Sequence, residues 1–131
     1  MAIDRPSVRV HRVLIVENDA HVLHSLEAVV RSEGFDAGVT WSGREALALI
    51  ESQHFDLILV DSHLPDIYFG EFIRLAARRA RPSIIVMQSR RPQPTSVRRL
   101  RMLGASAVID KHDLRQLRLL LAARHARPLS A

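Results

Sequence analysis

Two hydrophobic periods alternate along the chain. His11 to Val16 closes on an unbroken apolar run, as expected of a strand buried on both faces. Asp19 to Ser32 then sets Val22, Leu23, Leu26, Val29 and Val30 at helical spacing, with Gly34 as a stop. Phe35 to Thr40 is a short second strand. Ser42 and Glu45 form a capping-box pair that opens a helix through Leu47, Leu49 and Ile50. Leu57 to Val60 is the most apolar strand, and it ends on Asp61.

The second half repeats the pattern. Ser62 to Phe69 reads as a loop, and Glu71 to Arg79 as a helix with Phe72, Ile73 and Leu75 inward. Ile84 to Met87 is a fourth buried strand. Pro92 and Pro94 interrupt the chain before a helix over Thr95–Leu103, which Gly104 stops. Ala107 to Ile109 is a fifth strand. Asp113 to His125 is a last helix carrying Leu114, Leu117, Leu120 and Leu121. Strand–helix alternation of this kind predicts an α/β domain, a doubly wound five-stranded parallel sheet with helices on both faces. Right-handed crossovers favour the strand order 2-1-3-4-5, with a site at the carboxyl ends of strands 1 and 3. The expected domain is single and spans 11–126, with flexible tails at 1–10 and 127–131.

Composition narrows the class. The 131 residues, 47% apolar, suffice for one cored domain. No apolar run exceeds five residues, the length of Leu119–Ala123, far too short to span a bilayer. Asp4, Arg5 and Pro6 stand where a signal peptide would need an apolar stretch, so a cytoplasmic protein is expected. No cysteine is present, which removes disulfides, thiolate metal sites and cysteine nucleophiles.

Charge is unevenly spread. Residues 1–71 hold 12 acids and 5 arginines (−7), and residues 72–131 hold 2 acids and 14 basic residues (+12), giving the net +5. A basic half points to an acidic partner, or simply to a solvated, arginine-biased surface. Direct nucleic-acid binding lacks support, since neither aromatic interleaving nor a helix-turn-helix pattern accompanies the arginines.

The carboxyl ends of the strands are acidic: Glu17-Asn18-Asp19 follow strand 1, and Asp61 ends strand 3. A directly bound phosphate cofactor would call for Gly, Ser or Thr donors there, and neither GxGxxG nor a Walker loop occurs. Neighbouring carboxylates repel unless a cation joins them. Hard oxygen ligands suit Mg²⁺, which keeps several waters. Asp19, or Asn18, also reads as the cap of the first helix, and Asp61 as a turn residue. Lys111, after strand 5, is the one lysine among 19 basic residues, a compact ammonium in a chain that otherwise uses arginine.

Together these features resemble the receiver domain of bacterial two-component response regulators, a flavodoxin-like (βα)5 fold. The matching segments are VLIVEND (13–19), FDLILVDSHLPD (55–66), IIVMQS (84–89) and GASAVIDKHDL (104–114). The resemblance implies that Asp61 accepts a phosphoryl group from a sensor histidine kinase or phosphotransfer protein. Mg²⁺ would be held by Glu17, Asn18, Asp61 and the His63 backbone carbonyl, with Lys111 on a phosphoryl oxygen. It implies no enzyme beyond self-phosphorylation and dephosphorylation. It further implies dimer or output contacts on the helix 4–strand 5–helix 5 face, here carrying Arg98, Arg99, Arg101, Arg115 and Arg118. The chain ends just after the fifth helix, so no output domain is expected within it.

Several positions depart from the family pattern. Asn18 replaces a second carboxylate and removes a formal charge, where one unit-charge pair at 4 Å and an effective dielectric of 20 is worth roughly 4 kcal/mol before desolvation. Gln88 stands at the switch position after strand 4, where a Ser or Thr hydroxyl usually engages the phosphoryl group. Ser89 is adjacent, and the alternation of the strand is expected to turn it elsewhere. Val108 replaces a mobile aromatic, and His112 a proline. The loop from Pro65 to Gly70 is one residue longer than usual. These departures keep open a second reading, an atypical receiver used as a phosphorylation-independent interaction module. An aspartyl phosphatase would need an acid-base carboxylate at position 63, which is His, and a cap domain.

Overall fold

The computed structural model describes residues 11–79 and 82–126; the expected tails lie outside them. Five strands, β1 (Arg12–Val16), β2 (Asp36–Thr40), β3 (Leu57–Asp61), β4 (Ser83–Gln88) and β5 (Ala107–Asp110), alternate with five helices. These are α1 (Ala20–Ser32), α2 (Gly43–Ser52), α3 (Phe69–Arg79), α4 (Pro94–Leu103) and α5 (Leu114–Ala126). The strands form one sheet in the order β2-β1-β3-β4-β5, all pairs parallel. Both the doubly wound architecture and the strand order match the reading of the sequence.

Strand alternation divides the core in two. Val13, Ile15, Leu57, Leu59, Ile85, Met87 and Ile109 face α1 and α5, meeting Leu26, Val29, Leu117 and Leu121. Leu14, Val16, Ile58, Val60, Ile84, Val86 and Val108 face α2, α3 and α4, meeting Leu47, Phe72, Ile73 and Leu100. The central strands are buried on both sides, which explains their continuous apolar runs. Extended one step past the core, the odd-numbered series runs through Glu17 and Asp61 to Ser89 and Lys111.

The helix boundaries carry small corrections. α3 begins at Phe69, two residues before Glu71, because Phe69 already packs against the core and Gly70 is buried. Pro94, at the first turn of α4, needs no N–H partner there, so the helix starts one residue early. The capping box at α2 is only half made. Ser42 Oγ accepts from the Glu45 N–H at 3.0 Å, but the Ser42 N–H turns to Thr40 Oγ1 at 3.4 Å. No helix among the described residues is long and apolar enough to cross a membrane.

Candidate functional site

The site is built where β1, β3 and β5 end. Register sets Val16 beside Val60 and Asp61 beside Met87, so Glu17 and Asp61 emerge together on the α1/α5 side of the sheet. Both are buried, at 0% and 2% exposure. Lys111 follows β5 on the same side, and its Nζ lies 3.4 Å from Asp61 Oδ2 and 3.6 Å from Glu17 Oε1. One ammonium therefore bridges two buried carboxylates, leaving the trio with a net negative charge.

Backbone donors complete the arrangement. The Asp19 N–H donates to Glu17 Oε1 at 3.1 Å, and the His63 N–H to Asp61 Oδ1 at 3.3 Å. Burial, aided by the neighbouring Asp61 charge, pushes the Glu17 carboxyl above its ordinary value, against the opposing pull of the Asp19 N–H and Lys111. Asp19, not Asn18, caps α1, accepting from the His21 and Val22 N–H groups. Asn18 is thus released from capping and lines the cleft above the carboxylates.

That cleft, of about 500 Å³, is bordered by Asn18, Asp19, Asp61, His63, Ser89 and Lys111. Glu17 Oε2 is buried and receives no hydrogen bond among the described residues. A buried carboxylate oxygen without a donor, beside Asp61 and a neutral amide, fits a hydrated divalent cation with hard oxygen ligands. The donor set is sparse, because among the described residues no three His, Cys, Asp or Glu side chains cluster to hold a metal. The missing charge is the one that Asn18 does not supply.

The switch positions divide by strand face. Gln88 continues Ile84 and Val86 toward α4 and lines an adjoining polar cleft with Ser62, His63, Ser89, Arg90, Arg91, Gln93 and Ser96. Ser89 corrects the expectation that strand alternation turns it away. Asp61 registers with Met87, and Ser89 lies two residues beyond, hence on the Asp61 side. Val108 is buried against the α4-side core, registered with Val86. The His63 side chain is exposed, with Nδ1 3.2 Å from Ser62 Oγ, as a solvated loop histidine should be.

The arginines also divide. Arg98, Arg99 and Arg101 on α4 and Arg115 on α5 are exposed, with no ion pair among the described residues. Arg118 does not join them. Its Nη1 donates to Ser32 Oγ at 2.9 Å and to Glu33 Oε2 at 3.0 Å. Because α5 packs on α1 through Leu117 and Leu121, residue 118 falls on the α1 seam.

Sequence reasoning missed Asp66. It accepts from Ser42 Oγ and from the Gly43 and Arg44 N–H groups, each at 3.0 Å, and so ties the loop after Asp61 to the start of α2. No local signal marks it, since its partners lie 22 to 24 residues away.

Parallel sheet, strand-end carboxylates and bridging lysine define a class, and comparison with known proteins agrees. The chain matches the response regulator receiver domain over residues 13–122 and belongs to that family. It is 36% identical over 63 residues to the cell cycle response regulator CtrA of Brucella ovis, an alignment covering 48% of this chain and 27% of that protein. The chain thus spans about a quarter of the length of the curated relatives it matches. A CheY-like receiver domain protein from Methanospirillum hungatei superposes with a TM-score of 0.75 at 25% identity, over 90% of this chain and 98% of that one. A two-component response regulator from Clostridium difficile shares the fold at a TM-score of 0.83 and 20% identity, covering 92% and 99% of the two chains. Receiver domains are signalling modules of two-component systems, which sets the coarse function of this chain.

Proposed function

We propose that this domain accepts a phosphoryl group on Asp61 from the phosphohistidine of a sensor kinase or phosphotransfer protein. The observation that carries this reading is Lys111 Nζ within 3.4 Å of Asp61 and 3.6 Å of Glu17. Asp61 is buried in its strand but borders the open cleft, so it is held rigidly and reached from one side. An Asp61 oxygen attacks phosphorus, the donor's P–N bond breaks, and the imidazole leaves. Such a transfer is governed by positioning and charge neutralisation. Lys111 meets one phosphoryl oxygen, and the His63 N–H shifts from Asp61 to the group it now carries. Glu17, Asn18, Asp61 and the His63 carbonyl would hold Mg²⁺, which when bound supplies positive charge to the transferring phosphoryl group.

The output reading follows from charge. Arg98, Arg99, Arg101 and Arg115 would recruit an acidic downstream protein or a second copy on the α4–β5–α5 face, where Met102 and Leu119 are exposed apolar anchors. A cytoplasmic location belongs to the same proposal, since the phosphodonor side of a sensor kinase lies there.

The test is intact mass after incubation with Mg²⁺ and acetyl phosphate, then with a phosphorylated histidine kinase. One phosphoryl adduct on the wild type, absent from Asp61→Asn and from a chelated sample, is expected. No adduct with either donor would overturn the reading. It would favour the interaction module, which Gln88 on the α4 side and aliphatic Val108 already support.

A further inference from the structure

From Phe72 to Ile109 the chain carries nine arginines and no acid, and two of these arginines meet in a concavity. Arg90 and Arg91 follow β4 directly. Adjacent residues of an extended chain turn to opposite sides. Here the chain bends at Ser89 and Arg90, and both arginines border one cleft of about 570 Å³. We infer that this cleft binds a nucleoside diphosphate, with the diphosphate on Arg90 and Arg91 and the base toward Gln88. The site lies beside the acceptor cleft and does not depend on Asp61 being phosphorylated.

The lining calls for an anion. All eight residues that border the cleft carry a side-chain donor, and none carries a carboxylate. Arg90 and Arg91 are exposed and have no ion pair among the described residues. Two neighbouring guanidinium groups repel until an anion enters between them. Their planar forks match phosphate oxygens bidentately, and a diphosphate supplies one phosphate for each. The first turn of α4, which has no acid and no side-chain cap, adds positive potential where Gln93 and Ser96 border the cleft.

Size and the amides favour a nucleotide over a bare anion. Inorganic phosphate would fill little of such a volume, whereas small organic ligands occupy clefts of roughly 300–1,000 Å³. The Gln88 side chain is half-buried and has no hydrogen-bond partner among the described residues. Its amide offers donors and an acceptor together, which a phosphate uses only in part and the edge of a base uses in full. Gln93 Nε2 donates to the Arg91 carbonyl at 3.5 Å, which ties the arginine loop to the start of α4. Because these donors converge in a concavity, they suit a small molecule. The exposed helix positions of Arg98, Arg99 and Arg101 suit a protein surface instead.

Equilibrium dialysis of the full chain against ADP or pyrophosphate, with chelator present, tests the assignment. ADP should bind the wild type, and Arg90→Gln/Arg91→Gln should weaken it by about tenfold or more, the factor for losing one charge-assisted contact. Arg74→Gln/Arg78→Gln removes the same charge from exposed positions on α3 and should stay within about twofold, because charges outside the cleft are screened. Gln88→Ala should weaken ADP by about threefold or more and leave pyrophosphate within about twofold, as one neutral hydrogen bond to the base is lost. Matching thermal midpoints of the unliganded variants would separate a lost contact from a damaged fold. No ADP retained at millimolar concentration would overturn the site. Equal weakening in Arg74→Gln/Arg78→Gln would reduce it to general charge attraction and overturn it too. Pyrophosphate binding as tightly as ADP would overturn the nucleotide assignment. None of these results bears on Asp61, whose phosphorylation is read separately by intact mass.

Discussion

The Gly43 N–H donates to Asp66 Oδ1 at 3.0 Å, so a carboxylate from the loop after Asp61 closes the first turn of α2. Asp66 Oδ2 accepts from Ser42 Oγ and the Arg44 N–H at the same distance. The arrangement places a negative group at the positive end of a helix dipole and satisfies N–H groups with no partner inside the helix. It also holds the segment that carries His63 against the body of the domain.

Asp66→Ala is expected to lower stability by about 1–2 kcal/mol, the usual cost of a lost cap with charge-assisted bonds. Denaturant unfolding measures it. Partial burial pushes the Asp66 carboxyl up, but its Arg44, Gly43 and Ser42 donors outweigh that and hold it below its ordinary value of 3.8. A depressed carboxyl stabilises the fold above its unfolded value and loses that contribution as pH falls through the folded one. The wild type should therefore lose this increment below about pH 4, and Asp66→Asn should show a shallower acid limb.

Gly43 is required by close approach. A methyl added there would collide with Ile67 Cγ2 and touch Leu64 Cδ1 at 3.0 Å. Gly43→Ala should cost about 1–3 kcal/mol through overpacking of the same loop. A wild-type unfolding midpoint would show that Ile67 moves aside freely.

Asp61→Asn should stabilise the metal-free domain by about 1 kcal/mol, because it leaves Lys111 balancing one buried carboxylate instead of two. Thermal unfolding in chelator reads this effect. Adding Mg²⁺ should raise the wild-type midpoint and leave Asp61→Asn nearly unchanged, since a ligand stabilises only the state that binds it. Destabilisation by Asp61→Asn would mean that Lys111 holds the site together more strongly than the carboxylates repel.

Arg98→Glu combined with Arg101→Glu should weaken binding to an acidic partner, or dimerisation, with a reduced salt dependence. Arg118→Glu should leave that binding intact and instead loosen the α1–α5 seam by at most about 1 kcal/mol, as its ion pair is half exposed. Light scattering at two salt concentrations distinguishes the two. Equal self-association in Arg98→Glu/Arg101→Glu and wild type would remove the dimer reading.

The fold was legible because its information is local. Apolar runs such as Leu57–Val60 and helical spacings such as Leu23, Leu26, Val30 are set by residues a few positions apart. Glu17, Asp61 and Lys111 were found for a related reason, as strand ends in a parallel sheet converge on one edge. Errors gathered where local rules compete. α3 starts early because Phe69 has a core to enter, and Glu45 leaves its capping role because Thr40 offers the Ser42 N–H a partner.

By itself, then, the amino-acid order determined the alternation of strands and helices, the winding of the sheet, and which carboxylates and ammonium share its carboxyl edge. Periodicity and the handedness of crossovers suffice for that. Tertiary structure alone decided the rest. Arg118 meets Glu33 across 85 positions, Asp66 meets Gly43 across 23, and Ser89 rather than Gln88 shares the cleft with Asp61. Each depends on inter-strand register or on how one helix seats against another. Those are properties of packed elements, and they exist only once the sheet has closed around its two cores.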